Sequence, residues 1–461
     1  MVHLLFGPEV RLMLREDDAF GMQAFCETLH PATIAETLSD EFKVDEVWRF
    51  LQHTDVRTQA AIFEYFPIEW QVELVEGTGR QHMARLLEQM SSDDRADVLR
   101  RLTPRVAENL LRLVDEADRR DMALLVSQEA DTAGGLMTTD YAWVPADISG
   151  GVAIERLRLQ APNTETIYYI YVLNSERKLL GVVSLRDLIL SPPQTVVRDM
   201  MDAEPLFVRV HDDREHVANE LARYDLIAIP VIDNQNRLVG IVTHDDIIDV
   251  VVEEATEDVY RMGAVGPMEE TYLNANFFAV WRSRVFWLAC LFLGGILTCM
   301  AMAGLQRSIE AIVALNLFIP LCISTGGNAG SQAVTLITRA LALGHITARE
   351  WWNVLRHELM MGVALGMTLG LVGFVIGLLT PSRLLENPDG SVIPSWLLGL
   401  VIGQAVIGIC MWGTLVGSML PLFFQRIGVD PGIASNPFVA TLADVVGIII
   451  YFSIANAYLL S

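Results

Sequence analysis

One acidic side chain lies inside an apolar segment near the C-terminus, where its charge needs a partner. Asp444 belongs to the apolar run 438–460, one helical turn after Ala440 and close to Thr441. Burying an unpaired carboxylate in a membrane span costs about 2.5–3.5 kcal/mol even on the milder insertion scale. Only Arg339, near the end of an earlier run, is a basic residue within an apolar run. We therefore expect a passing cation to neutralise Asp444, and a protonated structural aspartate is the alternative.

The apolar run 311–343 contains small and polar residues that a lipid-facing helix would avoid. They share one short stretch: Gly326, Gly327, Asn328, Gly330 and Gln332. Such residues are tolerated at bilayer depth only against protein or water, and a broken or closely packed backbone there exposes carbonyls that can line a cation path. A GxxxG helix contact formed by Gly326 and Gly330 is the alternative. Asn328 and Gln332 lie on the same stripe of the helix, and a contact of small residues does not account for these two polar side chains.

A dense run of carboxylates precedes the apolar region. It holds seven acids in fourteen residues: Asp245, Asp246, Asp249, Glu253, Glu254, Glu257 and Asp258. Four like-charged pairs stand at i and i+4, and each costs a helix a few tenths of a kcal/mol, roughly. Hard oxygen ligands favour Mg²⁺ or Ca²⁺, so the run predicts divalent-ion binding, with a solvated helix face as the alternative.

Three acids at an earlier helix start join the candidate metal ligands: Asp93, Asp94 and Asp97. Helix capping is the better interpretation for most acids of that region.

The charge is segregated along the 461 residues, which carry a net charge of −24 although 52% are hydrophobic. Residues 285–461 hold 7 acidic and 6 basic side chains, so the first 284 residues hold 50 acidic and 27 basic ones. This pattern predicts an acidic soluble region followed by a membrane region. It argues against a disulfide scaffold, a collagen-like rod and a nucleic-acid binder. No P-loop, nucleophile elbow or HExxH motif suggests an enzyme.

Five domains are expected. Residues 1–134 alternate apolar and charged positions at helical spacing, which predicts an all-α acidic domain. Residues 178–190 repeat as residues 237–249, so 135–199 and 200–253 are two copies of one strand, helix, strand, turn, strand, helix unit. A connecting helix at 254–284 leads to a pore domain at 285–461.

The repeat resembles a tandem pair of α/β CBS domains. The signature G-x-[VI]-[ST]-x-x-D is met by two sets of residues: Gly181, Ser184 and Asp187, then Gly240, Thr243 and Asp246. The resemblance implies that the hydroxyl and carboxylate of each set can hold a nucleotide ribose, so ATP is a possible ligand of the pair. Capping of the final helix by the same groups is the alternative.

Five apolar runs predict five transmembrane helices: 285–305, 311–343, 357–380, 395–424 and 438–460. Six arginines flank one side: Arg282, Arg284, Arg339, Arg349, Arg356 and Arg426. Only Arg307 and Arg383 lie on the other side. By the positive-inside rule the acidic region is cytoplasmic and the C-terminus lies outside the cytoplasmic membrane.

The whole arrangement resembles the MgtE family of magnesium channels and transporters. The resemblance rests on four segments: A-G-G-L-M at 133–137, E-E-A-T-E-D-V-Y-R-M-G at 253–263, P-x-x-x-x-x-G-G-N-x-G-x-Q at 320–332 and A-T-L-A-D-V-V-G at 440–447. It implies that Asp444 is the central pore carboxylate, with Ala440, the Gly326–Asn328 segment and Gln332 on the same path. Glu358 becomes an accessory pore residue, although anchoring at the membrane surface explains it equally well. The resemblance also implies a homodimer and regulatory Mg²⁺ at five acids: Asp246, Asp249, Glu254, Glu257 and Asp258.

The predicted function is Mg²⁺ influx through a pore between the second and fifth spans, closed by cytosolic Mg²⁺ bound to the acidic soluble region. Mg²⁺ is then both the transported and the regulatory ion, and the lipid bilayer is the other partner. A transporter for Mn²⁺ or Co²⁺ is an alternative in the same class. A membrane-anchored CBS nucleotide sensor without conduction is the alternative from another class.

Overall fold

The computed structural model describes residues 6–114, 116–268, 275–305, 313–386 and 392–459. Arg307, one of the two arginines predicted to lie on the outer side of the membrane, lies outside these residues. The chain divides into two compact units, Met1–Val252 and Glu253–Ser461.

The first unit begins with a stack of short helices, as predicted. Asp18 and Asp55 accept hydrogen bonds from backbone N–H groups at the starts of α2 and α5, and one apolar core runs through the stack. Ten helices are described here: α1 (Gly7–Glu16), α2 (Ala19–Thr28), α3 (Pro31–Glu41), α4 (Val44–Leu51), α5 (Val56–Phe63), α6 (Ile68–Gly77), α7 (Arg80–Leu87), α8 (Ser92–Arg101), α9 (Pro104–Leu111) and α10 (Glu116–Val126).

Two similar three-stranded sheets follow, ordered β1-β2-β3 and β4-β5-β6. In each sheet the first pair of strands is parallel and the second antiparallel, which confirms the repeated α/β unit. The elements in chain order are α11 (Ala133–Leu136), β1 (Tyr141–Pro145), α12 (Gly150–Gln160), β2 (Thr166–Leu173), β3 (Leu179–Ser184), α13 (Leu185–Leu190), α14 (Val197–Met200), β4 (Val208–Arg209), α15 (Arg214–Arg223), β5 (Ala228–Ile232), β6 (Leu238–Thr243) and α16 (His244–Met262).

The glycine of each CBS signature allows a neighbouring segment to approach its strand. A Cβ on Gly181 would lie 2.4 Å from the Asp202 carbonyl oxygen, and one on Gly240 would lie 2.7 Å from the Thr138 carbonyl oxygen. Both distances are too short for a side chain. The glycines are therefore needed for backbone contact with the segment at the start of the other copy.

Five long helices are described in the second unit: α17 (Phe277–Gly304), α18 (Val313–Ala342), α19 (Trp351–Leu378), α20 (Ser395–Arg426) and α21 (Asn436–Leu459). Among the described residues, the helices around α17, α19, α20 and α21 are long and apolar enough to cross a membrane. The 30-residue α18 is not in that group. Its glycines and polar side chains lower its mean hydropathy. Several apolar helices suited to a membrane are confirmed, and the count of five spans is not.

The structure decides two further points about these helices. Helix α18 is continuous from Val313 to Ala342 despite Pro320, so its small residues serve close packing and not a break. The predicted single connecting helix at 254–284 is wrong. Helix α16 ends at Met262, residues 263–268 are not helical, and α17 starts at Phe277. Ala264, whose φ of 55° is in the left-handed region, ends the helix.

Helices α18 and α20 cross with their backbones in contact. A Cβ on Gly413 would lie 2.3 Å from the Gly326 carbonyl oxygen, and one on Gly417 would lie 2.2 Å from that of Gly330. We expect Gly413→Ala to lower the free energy of unfolding by about 1–3 kcal/mol, because overpacking forces the helices apart. Thermal unfolding in detergent measures this. Gly295→Ala is the matched control because nothing lies within 4 Å of that Cβ, and equal melting temperatures for the two variants would contradict the contact.

Candidate functional site

Asp444 lies beside the glycine-rich part of α18. A Cβ on Gly327 would lie 3.4 Å from the Ala440 Cβ and 3.8 Å from Asp444 Oδ1. The small residues on α18 and α21 leave the carboxylate beside the bare backbone of Gly327. Asp444 is half-buried, and it makes no hydrogen bond or ion pair with a residue that the structure describes. An anionic group in this position can attract a cation.

The polar residues of α18 are more exposed than Gly327. Asn328 donates a hydrogen bond from Nδ2 to Ser324 Oγ at 3.2 Å, and Gln332 follows one turn later. All three residues are exposed in the single chain, whereas Gly326 and Gly327 are buried. The structure therefore brings Gly327 to Asp444 and leaves the Asn328–Gln332 stripe at the surface of the unit.

Two other predicted pore residues differ in their surroundings. Thr441 Oγ1 donates to the Pro437 carbonyl oxygen at 2.9 Å, so its hydroxyl is used within α21. Glu358 on α19 is only 6% exposed, with His357 Nδ1 at 3.6 Å. Helix α19 packs chiefly on α20, and α21 packs chiefly on α18, α20 and α17. Helix packing does not bring Glu358 next to Asp444.

In the first unit, acids from α8 and from the start of α16 form one cluster. Burial and the Asp94 carboxylate raise the pKa of Asp93 to about 6. Burial and then Asp93 raise the pKa of Asp246 to about 8. Burial also raises the pKa of Asp94, with smaller effects from Asp97, Asp245 and Asp249. The mutual repulsion means that the six acids predicted from two separate segments share one electrostatic environment.

Three further carboxylates belong to this cluster, and the sequence analysis did not predict them. Burial is the main cause that raises the pKa of Glu64 and of Glu165 to about 7, and Asp93 adds to both. Burial also raises the pKa of Asp140 against the effects of Arg95 and Ser92. Glu64 follows α5, and Asp140 and Glu165 flank the start of the first sheet. Each is isolated in sequence, so no spacing pattern could have identified it.

The cluster is defined by these residues: Glu64, Asp93, Asp94, Asp97, Asp140, Glu165, Asp245, Asp246 and Asp249; we call it the acidic cluster. In Asp93, the buried Oδ1 atom accepts no hydrogen bond. Within the described parts of the chain, no three His, Cys, Asp or Glu side chains are close enough to form a complete metal site. The carboxylates would have to move together, or share water molecules, to hold an ion.

The acids beyond Val252 belong to the second unit. Glu257 forms an ion pair with Arg261, which also pairs with Asp430 between α20 and α21. Burial and the Glu254 carboxylate raise the pKa of Asp258. Asp430, which also accepts a hydrogen bond from the Gly432 N–H at 2.6 Å, was missed because it is far from the acidic run in sequence. Glu253 is exposed.

The hydroxyl and the carboxylate of each CBS signature are hydrogen-bonded to each other. Ser184 Oγ accepts from the Asp187 N–H at 3.0 Å and donates to Asp187 Oδ2 at 2.6 Å. Thr243 Oγ1 donates to Asp246 Oδ2 at 2.5 Å. The bond to the Asp187 N–H supports the capping interpretation for the first set, and nucleotide binding would have to use the same groups.

Known protein families match most of the chain. A family model described as a divalent cation transporter, MgtE, matches residues 319–454. The model of the MgtE intracellular N domain matches residues 29–131, and the CBS domain model matches 133–192 and 197–253.

Two relatives that match nearly the whole chain are both magnesium transporters named MgtE. The magnesium transporter MgtE of Thermus thermophilus is 38% identical over 451 residues, which is 97% of each chain. That of Bacillus subtilis is 29% identical over 97% of this chain and 96% of its own.

Two solved structures resemble the soluble part. One is the cytosolic domain of the Mg²⁺ channel MgtE in complex with ATP, with 36% identity and a TM-score of 0.51, covering 53% of this chain and 99% of that one. The other is the soluble part of a magnesium transporter, with 29% identity and a TM-score of 0.52, covering 55% and 99%.

Proposed function

The chain belongs to the MgtE family of divalent cation transporters, and on that premise we propose that it admits Mg²⁺ to the cytoplasm and is not an enzyme. An inside-negative potential favours the entry of a doubly charged ion by about 4.6 kcal/mol per 100 mV. No chemical energy source is needed for inward movement. Binding of the same ion to the acidic soluble region closes the path.

The observation that carries the proposal is the position of Asp444 against Gly327. The carboxylate has no partner among the described residues, and the absence of a Cβ on Gly327 leaves space and an accessible backbone beside it. Mg²⁺ gives up its water shell reluctantly and prefers six oxygen ligands. We expect Asp444 to attract the hydrated ion, while backbone carbonyls and Asn328 hold its outer waters.

A second copy of the chain would complete the path. Exposed polar residues in a membrane require protein or water, and Ser324, Asn328 and Gln332 are exposed in the single chain. Helix α17 has no buried residue in the single chain. A homodimer related by a two-fold axis would cover these faces and place two Asp444 side chains near that axis.

The membrane topology belongs to the same proposal. We take α18 as a fifth span whose polar stripe faces the path, with the acidic region cytoplasmic and the C-terminus outside the cytoplasmic membrane. The domain boundaries at residues 134, 199, 253 and 284 follow the sequence argument, with the connecting segment only partly helical.

The acidic cluster supports the regulatory part. Crowded carboxylates repel one another, most strongly where they are partly buried as at Asp93 and Asp246, and a divalent cation among them offsets that repulsion. We propose that cytosolic Mg²⁺ binds the cluster, and that Glu253, Glu254, Glu257 and Asp258 in the second unit are regulatory Mg²⁺ ligands of their own. We also propose ATP as a ligand of the CBS pair at Ser184, Asp187, Thr243 and Asp246, since a relative's cytosolic domain binds it.

Reconstitution tests the transport proposal and its alternatives. Liposomes that contain the purified chain and a magnesium-sensitive dye should show Mg²⁺ uptake, and excess external Mn²⁺ or Co²⁺ should reduce it only weakly. Strong competition would favour the transporter for another divalent ion. Absence of any cation uptake by folded protein would favour the non-conducting CBS sensor.

A substitution at Gly327 tests the location of the path. Gly327→Leu should reduce Mg²⁺ uptake at least tenfold, roughly, because the side chain would fill the space between Ala440 and Asp444. The matched control is Ala364→Leu, at an exposed position of α19, which should retain parental uptake. Unimpaired uptake by a folded Gly327→Leu variant would place the path elsewhere.

A further inference from the structure

Three hydroxyl side chains join the first turn of α8 to the segment that leads into the first sheet. Ser92 Oγ lies 2.9 Å from Thr138 Oγ1, and it accepts hydrogen bonds from the Thr139 N–H at 2.8 Å and from Thr139 Oγ1 at 3.2 Å. Ser92 is 1% exposed and Thr138 is fully buried. We call Ser92, Thr138 and Thr139 the hydroxyl joint.

The hydroxyl joint connects the two halves of the acidic cluster. Thr138 N–H donates to the Ile241 carbonyl oxygen at 2.8 Å, and the Ile241 N–H donates back at 2.9 Å. Ile241 belongs to β6, which ends at Thr243, the residue whose hydroxyl donates to Asp246. On the other side, Ser92 directly precedes Asp93. A short path of hydrogen bonds therefore sets the position of Asp93 relative to Asp246.

The far end of α8 is attached to the same region. Arg100 donates from Nη2 to the Leu125 carbonyl oxygen at 2.7 Å and from Nη1 to the Gly135 carbonyl oxygen at 3.3 Å. Helix α8 is thus fixed at both ends. The bonds among the three hydroxyl side chains involve neutral groups, and Ser92 is also hydrogen-bonded to the Asp140 carboxylate of the acidic cluster.

We propose that Ser92 is a positioning residue for divalent-ion binding by the acidic cluster. The inference rests on the regulatory part of the proposed function. Removing the hydroxyl leaves the buried Thr138 Oγ1 and the Thr139 N–H without their shared partner, so the joint must open or rearrange. The carboxylates of α8 then lose their fixed separation from Asp246, and ion affinity falls because the ligands must be gathered at binding.

The test uses the full-length protein in detergent. We measure the Mg²⁺ concentration that gives half-maximal protection of the soluble region from protease, and separately the melting temperature in EDTA. Ser92→Ala should raise the half-protecting concentration roughly tenfold, as for other residues that orient ligands. Thr138→Val, which keeps the shape and leaves the Thr139 bonds intact, should raise it less. Ser127→Ala is the control, because that exposed hydroxyl bonds only within its own helix end.

The outcomes separate the inference from its premise. A parental half-protecting concentration in both Ser92→Ala and Thr138→Val, with protection of the parental chain observed, overturns the positioning role alone. A lower melting temperature in EDTA without a change in half-protecting concentration also overturns it, since that is a purely structural effect. If the parental chain gains no protection from Mg²⁺, the regulatory function itself fails and the inference with it.

Discussion

Asp444→Asn should abolish Mg²⁺ uptake into liposomes while the protein remains folded. The substitution keeps the size of the side chain and removes only its charge, and Asp444 makes no hydrogen bond or ion pair with a described residue that would be lost. Without the carboxylate, a doubly charged ion no longer has an anion to offset its transfer into the membrane region. We expect uptake to fall by more than tenfold, about 1.4 kcal/mol or more in the barrier.

The control for this variant is Glu386→Gln, which removes the charge of an exposed acid in the same unit and should leave uptake unchanged. Elution volume and melting temperature in detergent check that Asp444→Asn is folded. Uptake at the parental rate by folded Asp444→Asn would show that the ion does not pass this carboxylate.

Neutralising Asp246, Asp249, Glu254 and Glu257 together should produce a channel that stays active at millimolar cytosolic Mg²⁺. Each ion that binds only the closed form stabilises it by RT ln(1 + [L]/Kd), about 1.4 kcal/mol at tenfold excess. If the open and closed forms differ by a few kcal/mol, loss of several such sites leaves the open form populated. Uptake measured against the Mg²⁺ concentration on the cytoplasmic side gives the inhibition curve.

The matched control variant removes the same number of negative charges at other positions. It neutralises four exposed acids of the first unit: Glu16, Asp199, Glu204 and Asp225. Their neutralisation should leave inhibition at the parental Mg²⁺ concentration. Should the variant at Asp246, Asp249, Glu254 and Glu257 close at that concentration too, the acidic run is a solvated helix face and the sensor lies elsewhere.

Local patterns explain why much of the fold could be predicted. The repeat of 178–190 at 237–249 contains its own turn and strand signals, and the structure has the expected β2–β3 and β5–β6 pairs there. The resemblance to the MgtE family placed Asp444 and the glycine-rich segment on one path, whereas the small residues alone fitted a broken helix as well as close packing. The structure identifies Gly327 and Ala440 as the pair beside the carboxylate.

Interactions between distant segments could not be predicted. Glu64 and Glu165 join the acidic cluster only because α5 and the start of β2 fold beside α8. The pairing of Arg261 with Asp430 likewise depends on tertiary packing. The prediction of a single connecting helix was wrong for a local reason, since the left-handed conformation of Ala264 interrupts the helical pattern.

Potential-driven Mg²⁺ influx through the parental chain is the most direct test of passive transport. Liposomes with the protein, an internal magnesium dye and no ATP or other ion gradient are given a series of inside-negative potentials. We predict that Mg²⁺ enters, and that the initial rate rises with the potential because each ion carries two charges. An initial rate equal to that of protein-free liposomes at every potential, with folded protein in the membrane, would contradict the account.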